Sequence, residues 1–221
     1  NKKKLSDVLS ISEGLRIPST SEKKEKLGSA IVKQYQFSKY SKIKEGTYIE
    51  KKDFLDVCSE KSDRFKKIMQ EKILIAEDAL TISATIDSNQ MIPQGGVYFA
   101  ISICKLNTHF LLGFINSRLL SILYEILYAG MHMGGGYLRY RSKFLENLPI
   151  PEFILNFDET KQNQLKLYVD KILNITDSDD YLDNPDKQAK VKRLEKEIDQ
   201  LVYKLYELTP EEIKIVEGFG K

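Results

Sequence analysis

The sequence has no tryptophan, and only two cysteines, two histidines and four methionines among its 221 residues. The cysteine and histidine counts each close a class of function. Cys58 and Cys104 make no C-x-x-C pair and have only His109 and His132 as possible co-ligands, so the short paired spacings of a zinc site are missing. Two lone cysteines fit buried thiols of a reducing cytosol, and the expected location is cytoplasmic. Two histidines also leave little material for a His-based triad or a metallohydrolase. The longest apolar stretch, from Phe110 to Ala129, carries Arg118 and Glu125, so no membrane span is expected. Asn1 is followed by three lysines and a mixed polar segment, which is not a signal peptide; a start at Asn reads as a piece of a longer chain. There is no G-x-G-x-x-G after a strand, no P-loop, no H-E-x-x-H and no G-x-S-x-G. Gly134–Gly136 follows a helical pattern instead of leading into one, so it suits a sharp chain reversal better than a phosphate cradle. Pro185-Asp186 with Glu212-Ile213-Lys214 formally matches a PD…ExK nuclease pattern. Both carboxylates fall in the first turns of predicted helices, however, and Glu212 is better explained as a cap partner.

What is present supports a sizeable core: 42% of residues are hydrophobic and 30% charged. Charge is unevenly placed. Residues 1–151 hold 23 Lys and Arg against 16 Asp and Glu, a net of +7; residues 152–221 hold 11 against 16, a net of −5. A basic body on an acidic tail suits a polyanion partner, although a solvated lysine-rich face has the same composition.

Pattern divides the chain at about residue 151. Residues 5–54 read as short strands between polar turns, with candidates at Val8–Ile11, Ala30–Tyr35 and Tyr48–Ile49, and residues 53–69 read as helical. Runs at Lys72–Ala76, Leu80–Ile86 and Val97–Cys104 are rich in β-branched and aromatic residues and read as strands. Asn107 is placed to cap one helix running to about Tyr128, apolar on nearly every side and therefore buried. Asn116 and Ser117 lie inside it as structural residues. Beyond the prolines at 149 and 151, two amphipathic helices are expected. The first, 158–176, has Leu165, Tyr168, Val169, Ile172 and Leu173 on one face; the second, 187–208, carries Val191, Leu194, Ile198, Leu201, Leu205 and Leu208 at heptad spacing. The short connector between them favours an antiparallel hairpin. Thr209-Pro210-Glu211-Glu212 is a capping box that opens a third helix. The predicted class is α+β: a mixed-sheet domain, 1–151, followed by a helical hairpin arm, 152–221.

The segment Tyr137-Leu138-Arg139-Tyr140-Arg141-Ser142-Lys143 interleaves aromatics with cations. Arginine offers forked donors to guanine edges or phosphates, and tyrosine can stack on bases. An ordinary edge strand with snorkelling arginines would look the same. If the segment is extended, Tyr137, Arg139 and Arg141 share one face.

Five segments, in order, resemble the TaqI-like C-terminal specificity domain of type II restriction-modification methyltransferases and the related target-recognition halves of type I specificity subunits. They are LSDVLSISEGLRIP, KILIAEDALTISATID, LLGFINSRLLSILYEILYAG, GGGYLRYRSKFLENLPIP and LEKEIDQLVYKLYELTPEEIKIVE. The resemblance spans about the whole chain, and the order is more specific than any one segment. It departs in the early loop, where many relatives have G-(I/L)-x-T-G and this chain has Gly14-Leu15-Arg16-Ile17-Pro18 before a lysine-rich stretch.

The resemblance implies a reading head for double-stranded DNA. It implies an upstream methyltransferase domain or subunit, adenine-specific, with or without endonuclease activity, that binds S-adenosylmethionine. The F-x-G-x-G and N-P-P-Y motifs of such a domain do not occur here, so this chain is expected to be non-catalytic and to hold no cofactor or metal of its own. Base contacts are expected from Arg16, Tyr137, Arg139 and Arg141. Phosphate contacts are expected from Lys23, Lys24, Lys26 and Lys42, with Lys143 beside the arginine segment. Two alternatives stand. One is a type I specificity half that self-associates through helices 158–176 and 187–208; the other is a helical protein-interaction module with no DNA role.

Overall fold

A computed structural model describes residues 3–26, 28–152, 154–156 and 159–219. Four strands form the main sheet: β1 (Leu9–Glu13), β4 (Lys72–Ala76), β6 (Ala84–Asp87) and β8 (Val97–Ser102). Their order is β1-β8-β4-β6, antiparallel throughout, with Ala100 of β8 facing Ile11 on one side and Ile73 on the other. All five residues of β4, KILIA, are buried, as is VYFA at the start of β8. Apart from Lys72, which is paired with Asp87, these are the unbroken apolar runs of strands covered on both faces. A second sheet has the order β3-β2-β7, from Tyr48–Ile49, Ser29–Val32 and Ile92–Pro93, and its β2–β7 pair is parallel, which makes the fold mixed. A two-stranded ribbon joins β5 (Asp78–Ala79) to β9 (Leu138–Arg139).

Three expected elements are broken. The stretch predicted as one strand, Leu80–Ile86, enters the sheet only at Ala84. Before it, the backbone N–H of Ile82 donates to Ser121 Oγ, so part of that stretch is held by a helix in place of a ladder. The single helix predicted from Asn107 to Tyr128 is two: α3 (Thr108–Ile115) and α4 (Arg118–Leu127), bent by 54°. Asn107 caps α3 as its sequence position indicates, accepting from the N–H groups of His109 and Phe110. The break has a tertiary cause. Asn116 exchanges two 2.9 Å hydrogen bonds with the backbone of Ala84, Ser117 caps α4 by accepting from Leu120, and Asp199 accepts from the N–H of Arg118. The groups that an unbroken helix would satisfy internally thus find partners elsewhere. Likewise the helical stretch 53–69 divides into α1 (Lys51–Val57) and α2 (Asp63–Ile68), with Ser62 capping the second. No single helix among the described residues is long and apolar enough to cross a membrane.

The short helix α5 (Ser142–Glu146) leads to the helical region of α6 (Glu159–Thr176), α7 (Pro185–Leu205) and α8 (Pro210–Gly218). The expected start of the first hairpin helix, Asp158, lies outside the described residues. The second was expected to reach residue 208 but ends at Leu205. Glu207 takes a left-handed φ of 54°, and the N–H of Leu208 turns back to Tyr203 O, a Schellman-type stop. The capping box at Thr209 and Glu212 forms as its pattern indicates. Core packing is continuous across residue 151. An ideal Cβ on Gly113 of α3 would lie 2.6 Å from Leu165 and 2.7 Å from Val169 of α6, so glycine is what lets these helices approach. The Tyr206 hydroxyl donates to Pro149 O, and Thr176 Oγ1 donates to Tyr40 O. The buried stripe of α7 is wider than its heptads: Val202 and Tyr203 are buried beside Val191, Ile198, Leu201 and Leu205, because the helix packs on both α6 and α4.

Candidate nucleic-acid interface

The antiparallel order brings the exit of β1, the exit of β4 and the entry of β8 to one end of the main sheet. The exits of β2 and β7 join them there through backbone hydrogen bonds. Gly14 N–H donates to Val97 O at 2.8 Å, Leu15 N–H to Pro93 O at 2.7 Å, Gly95 N–H to Leu15 O at 2.9 Å, Gln94 N–H to Val32 O at 2.9 Å, and Glu77 N–H to Gly96 O at 3.0 Å. Gly14 is required at this crossing, since a Cβ there would fall 2.1 Å from Gln94 O. Arg16 leaves this knot exposed and has no ion-pair partner among the described residues. Glu22 ties in the next loop, accepting from Lys33 Nζ at 2.5 Å and from Gln94 Nε2 at 2.7 Å.

The arginine segment reaches the same end. Gly135 and Gly136 have φ of 74° and 80°, conformations that glycine adopts without steric cost, and they reverse the chain into β9. Leu138 and Tyr140 point inward and are buried, while Tyr137, Arg139 and Arg141 face outward. The strand is pinned from two sides. It pairs with β5, and Tyr140 N–H donates to Glu77 O at 2.6 Å. From α4, the Tyr124 hydroxyl donates to Arg139 O at 2.8 Å and accepts from Arg141 N–H at 2.9 Å. Burial pushes the Tyr124 hydroxyl up to about 12, so it keeps its proton, and with it both bonds, at any ordinary pH.

No acid lies between Glu125 and Glu146 in the sequence, but the arginines are not free of acids in space. Arg139 Nε donates to Asp78 Oδ1 at 2.9 Å and its Nη2 lies 3.5 Å from Oδ2, while Arg141 Nη1 donates to Glu77 Oε1 at 2.8 Å. Both acids come from the segment after β4. The hydrogen bond to Asp78, then its charge, raises the Arg139 guanidinium above its ordinary value.

The lysines are more dispersed. Lys23 joins the edge of β3 by a two-way backbone bridge with Tyr48, and its Nζ is 3.9 Å from Glu50. Lys26 is 3.5 Å from Glu45, and Lys24 is exposed with no ion pair among the described residues. Lys143, in the first turn of α5, is exposed in the same way. Lys42 stands apart, on the loop before β3, paired at 3.3 Å with Asp177 at the end of α6. Exposed pairs of this kind contribute about 0–1 kcal/mol and give way readily to a phosphate. The structure therefore gathers Arg16, Tyr137, Arg139 and Arg141 at one end of the sheet, links the Lys23–Lys26 loop to it through Glu22, and leaves Lys42 on the helical side. It adds two residues that sequence reasoning missed. Tyr35 and Leu80, 77% and 58% exposed, share an open groove with Tyr137, itself 46% exposed. Tyr35 stands out as the aromatic in the polar run KQYQ, the one local signal that pointed to it.

Residues 25–150 match the family described as the TaqI-like C-terminal specificity domain. No curated protein matches by sequence. Among solved structures, the type IIL restriction-modification enzyme MmeI, determined in complex with DNA, superposes with a TM-score of 0.59 at 12% identity, covering 99% of this chain and 36% of that one. The type IIG restriction endonuclease BpuSI gives 0.52 at 12% identity, covering 93% of this chain and 32% of that one. The chain thus spans about a third of the length of these structures, and at such identity the likeness is one of fold.

Proposed function

Since this chain belongs to the family of TaqI-like C-terminal specificity domains and has a DNA target-recognition role, we propose that it reads duplex DNA with the loop end of its main sheet. Arg16, Arg139 and Arg141 contact base edges, where a guanidinium matches the O6/N7 pair of guanine. Tyr137, Tyr35 and Leu80 offer apolar contact beside them. Lys23, Lys24, Lys26 and Lys143 meet phosphates, and Lys42, beside Asp177 and away from the arginines, contributes least. The observation that carries this reading is the strand of Tyr137, Arg139 and Arg141, held from two sides with its cations outward, at the same end as Arg16.

In this reading the methyl transfer belongs to a domain or subunit outside these residues, as in a type II or type IIG restriction-modification enzyme, and S-adenosylmethionine is bound there. Among the described residues no group of three or more His, Cys, Asp or Glu is placed to hold a metal ion. Pairing of two copies through the α7 stripe is disfavoured, because that stripe is already covered within the chain. A salt titration of duplex binding tests the proposal. The logarithm of affinity should fall linearly with the logarithm of salt concentration, with a slope of about −0.9 per phosphate contacted. Affinity indifferent to salt would instead favour a protein-interaction module.

A further inference from the structure

Resting on the recognition reading above, we propose that Asp78 is a positioning residue that presents Arg139 to a guanine. A guanidinium has two usable edges: a side edge, made by Nε and one terminal nitrogen, and an end edge, made by the two terminal nitrogens. Asp78 occupies the side edge of Arg139, through Nε at 2.9 Å and Nη2 at 3.5 Å. Arg139 Nη1 has no partner among the described residues, so the end edge is left open. That edge carries the parallel pair of donors that fits guanine O6 and N7.

The carboxylate is itself held. Gln34, at the exit of β2, grips the Asp78 backbone from both sides: its Nε2 donates to Asp78 O at 2.6 Å, and Asp78 N–H donates to its Oε1 at 3.3 Å. The β5–β9 ladder sets Asp78 directly opposite Arg139. The Tyr124 hydroxyl fixes the backbone on the arginine side. Both members of the pair therefore project from anchored backbone. Arg141 differs, since Glu77 holds it through one terminal nitrogen, whereas Asp78 takes both donors of the Arg139 side edge. Arg139 is the better prepared reader of the two. An exposed ion pair adds little to stability, so this degree of anchoring exceeds what stability alone would call for. A site that reads a base needs its side chains fixed in advance, by contacts behind those that touch the ligand.

The test is selection of the 221-residue chain against a pool of duplexes with a randomised segment, sequencing the bound fraction for the wild type and for Asp78→Asn, Gln34→Ala and Arg139→Ala. Thermal melting confirms that each variant folds. The wild type should prefer guanine at one position by about 5- to 150-fold, the discrimination of one bidentate pair expressed as a ratio. Arg139→Ala should abolish the preference at that position. Asp78→Asn should weaken the same preference at least about threefold and leave other positions unchanged, with affinity for unrelated duplex no lower because a negative charge is gone. Gln34→Ala should loosen the same position to a smaller degree, and it carries the test if Asp78→Asn fails to fold. A wild-type preference retained in Asp78→Asn, or in Gln34→Ala where only that variant folds, would overturn the positioning role while Arg139→Ala still upholds recognition. Loss of a cytosine preference in Asp78→Asn would make Asp78 itself the reader and overturn the proposal. Unchanged selection by Arg139→Ala would overturn the proposal and leave base reading to Arg16 and Arg141, whereas no enrichment by the wild type would overturn the recognition reading itself.

Discussion

Tyr124→Phe removes one hydroxyl and with it two hydrogen bonds, the donation to Arg139 O and the acceptance from Arg141 N–H. The ring stays, and with it the packing against Tyr140 and Tyr128, whose centroids lie 4.6 and 5.0 Å away. Each intramolecular hydrogen bond is worth about 0.5–1.5 kcal/mol net, so the destabilisation should be about 1–3 kcal/mol. In a protein of this size that lowers Tm by about 2–4 °C per kcal/mol. Denaturant melts measure the effect directly, and the pH dependence gives an independent signature. An unfolded tyrosine titrates near 10, whereas Tyr124 in the folded protein is pushed up to about 12. Between these values the unfolded chain has released the proton that the folded chain still holds. The stabilisation from Tyr124 is therefore complete below pH 10 and disappears as pH rises through about 12. The gap between wild type and Tyr124→Phe should narrow across that window. A variant within about 0.5 kcal/mol of wild type, well under the cost expected for two hydrogen bonds, with a gap flat from about pH 9 to 12, would show that the hydroxyl does not hold the arginine strand.

Three further outcomes are expected. Lys72→Met leaves the Asp87 carboxylate, which also accepts from Met91 N–H, buried without its cation, and should cost about 3–5 kcal/mol by denaturant titration. Leu201→Asp puts a carboxylate in the buried seam of α7 and should abolish cooperative unfolding or lower its midpoint sharply; a variant as stable as wild type would mean the seam is not packed. Lys23→Ala with Lys24→Ala should weaken binding to all duplexes alike, and should shallow the salt slope by about 0.9 for each phosphate that is no longer neutralised, as read by the same titration.

What could be read from the sequence was what depends on neighbours along the chain. KILIA and VYFA announce buried strands because apolar runs of that length have no other economical home. Asn107 and the Thr209–Glu212 box announce helix starts because capping involves residues two or three apart. The outward alternation of Tyr137, Arg139 and Arg141 followed from strand geometry alone. What could not be read depends on distant partners. The break at Asn116 and Ser117 is set by Ala84 and Asp199: the polar triplet Asn116-Ser117-Arg118 is visible in the sequence, but the distant partners that open the helix there are not. Asp78 and Arg139 are 61 positions apart, so the acid that holds the arginine was invisible beside it. Tyr35 and Leu80 gained meaning only when folding set them beside Tyr137.

The central claim is that the loop end of the sheet is the face that meets DNA, and amide hydrogen exchange of the chain with and without a selected duplex tests it most directly. Protection on binding should appear in residues 14–24, 33–39, 77–83, 94–96 and 133–143, with α6, α7 and α8 unchanged. Protection confined to the helices of residues 159–218, with the loop end exchanging as in the free protein, would contradict it.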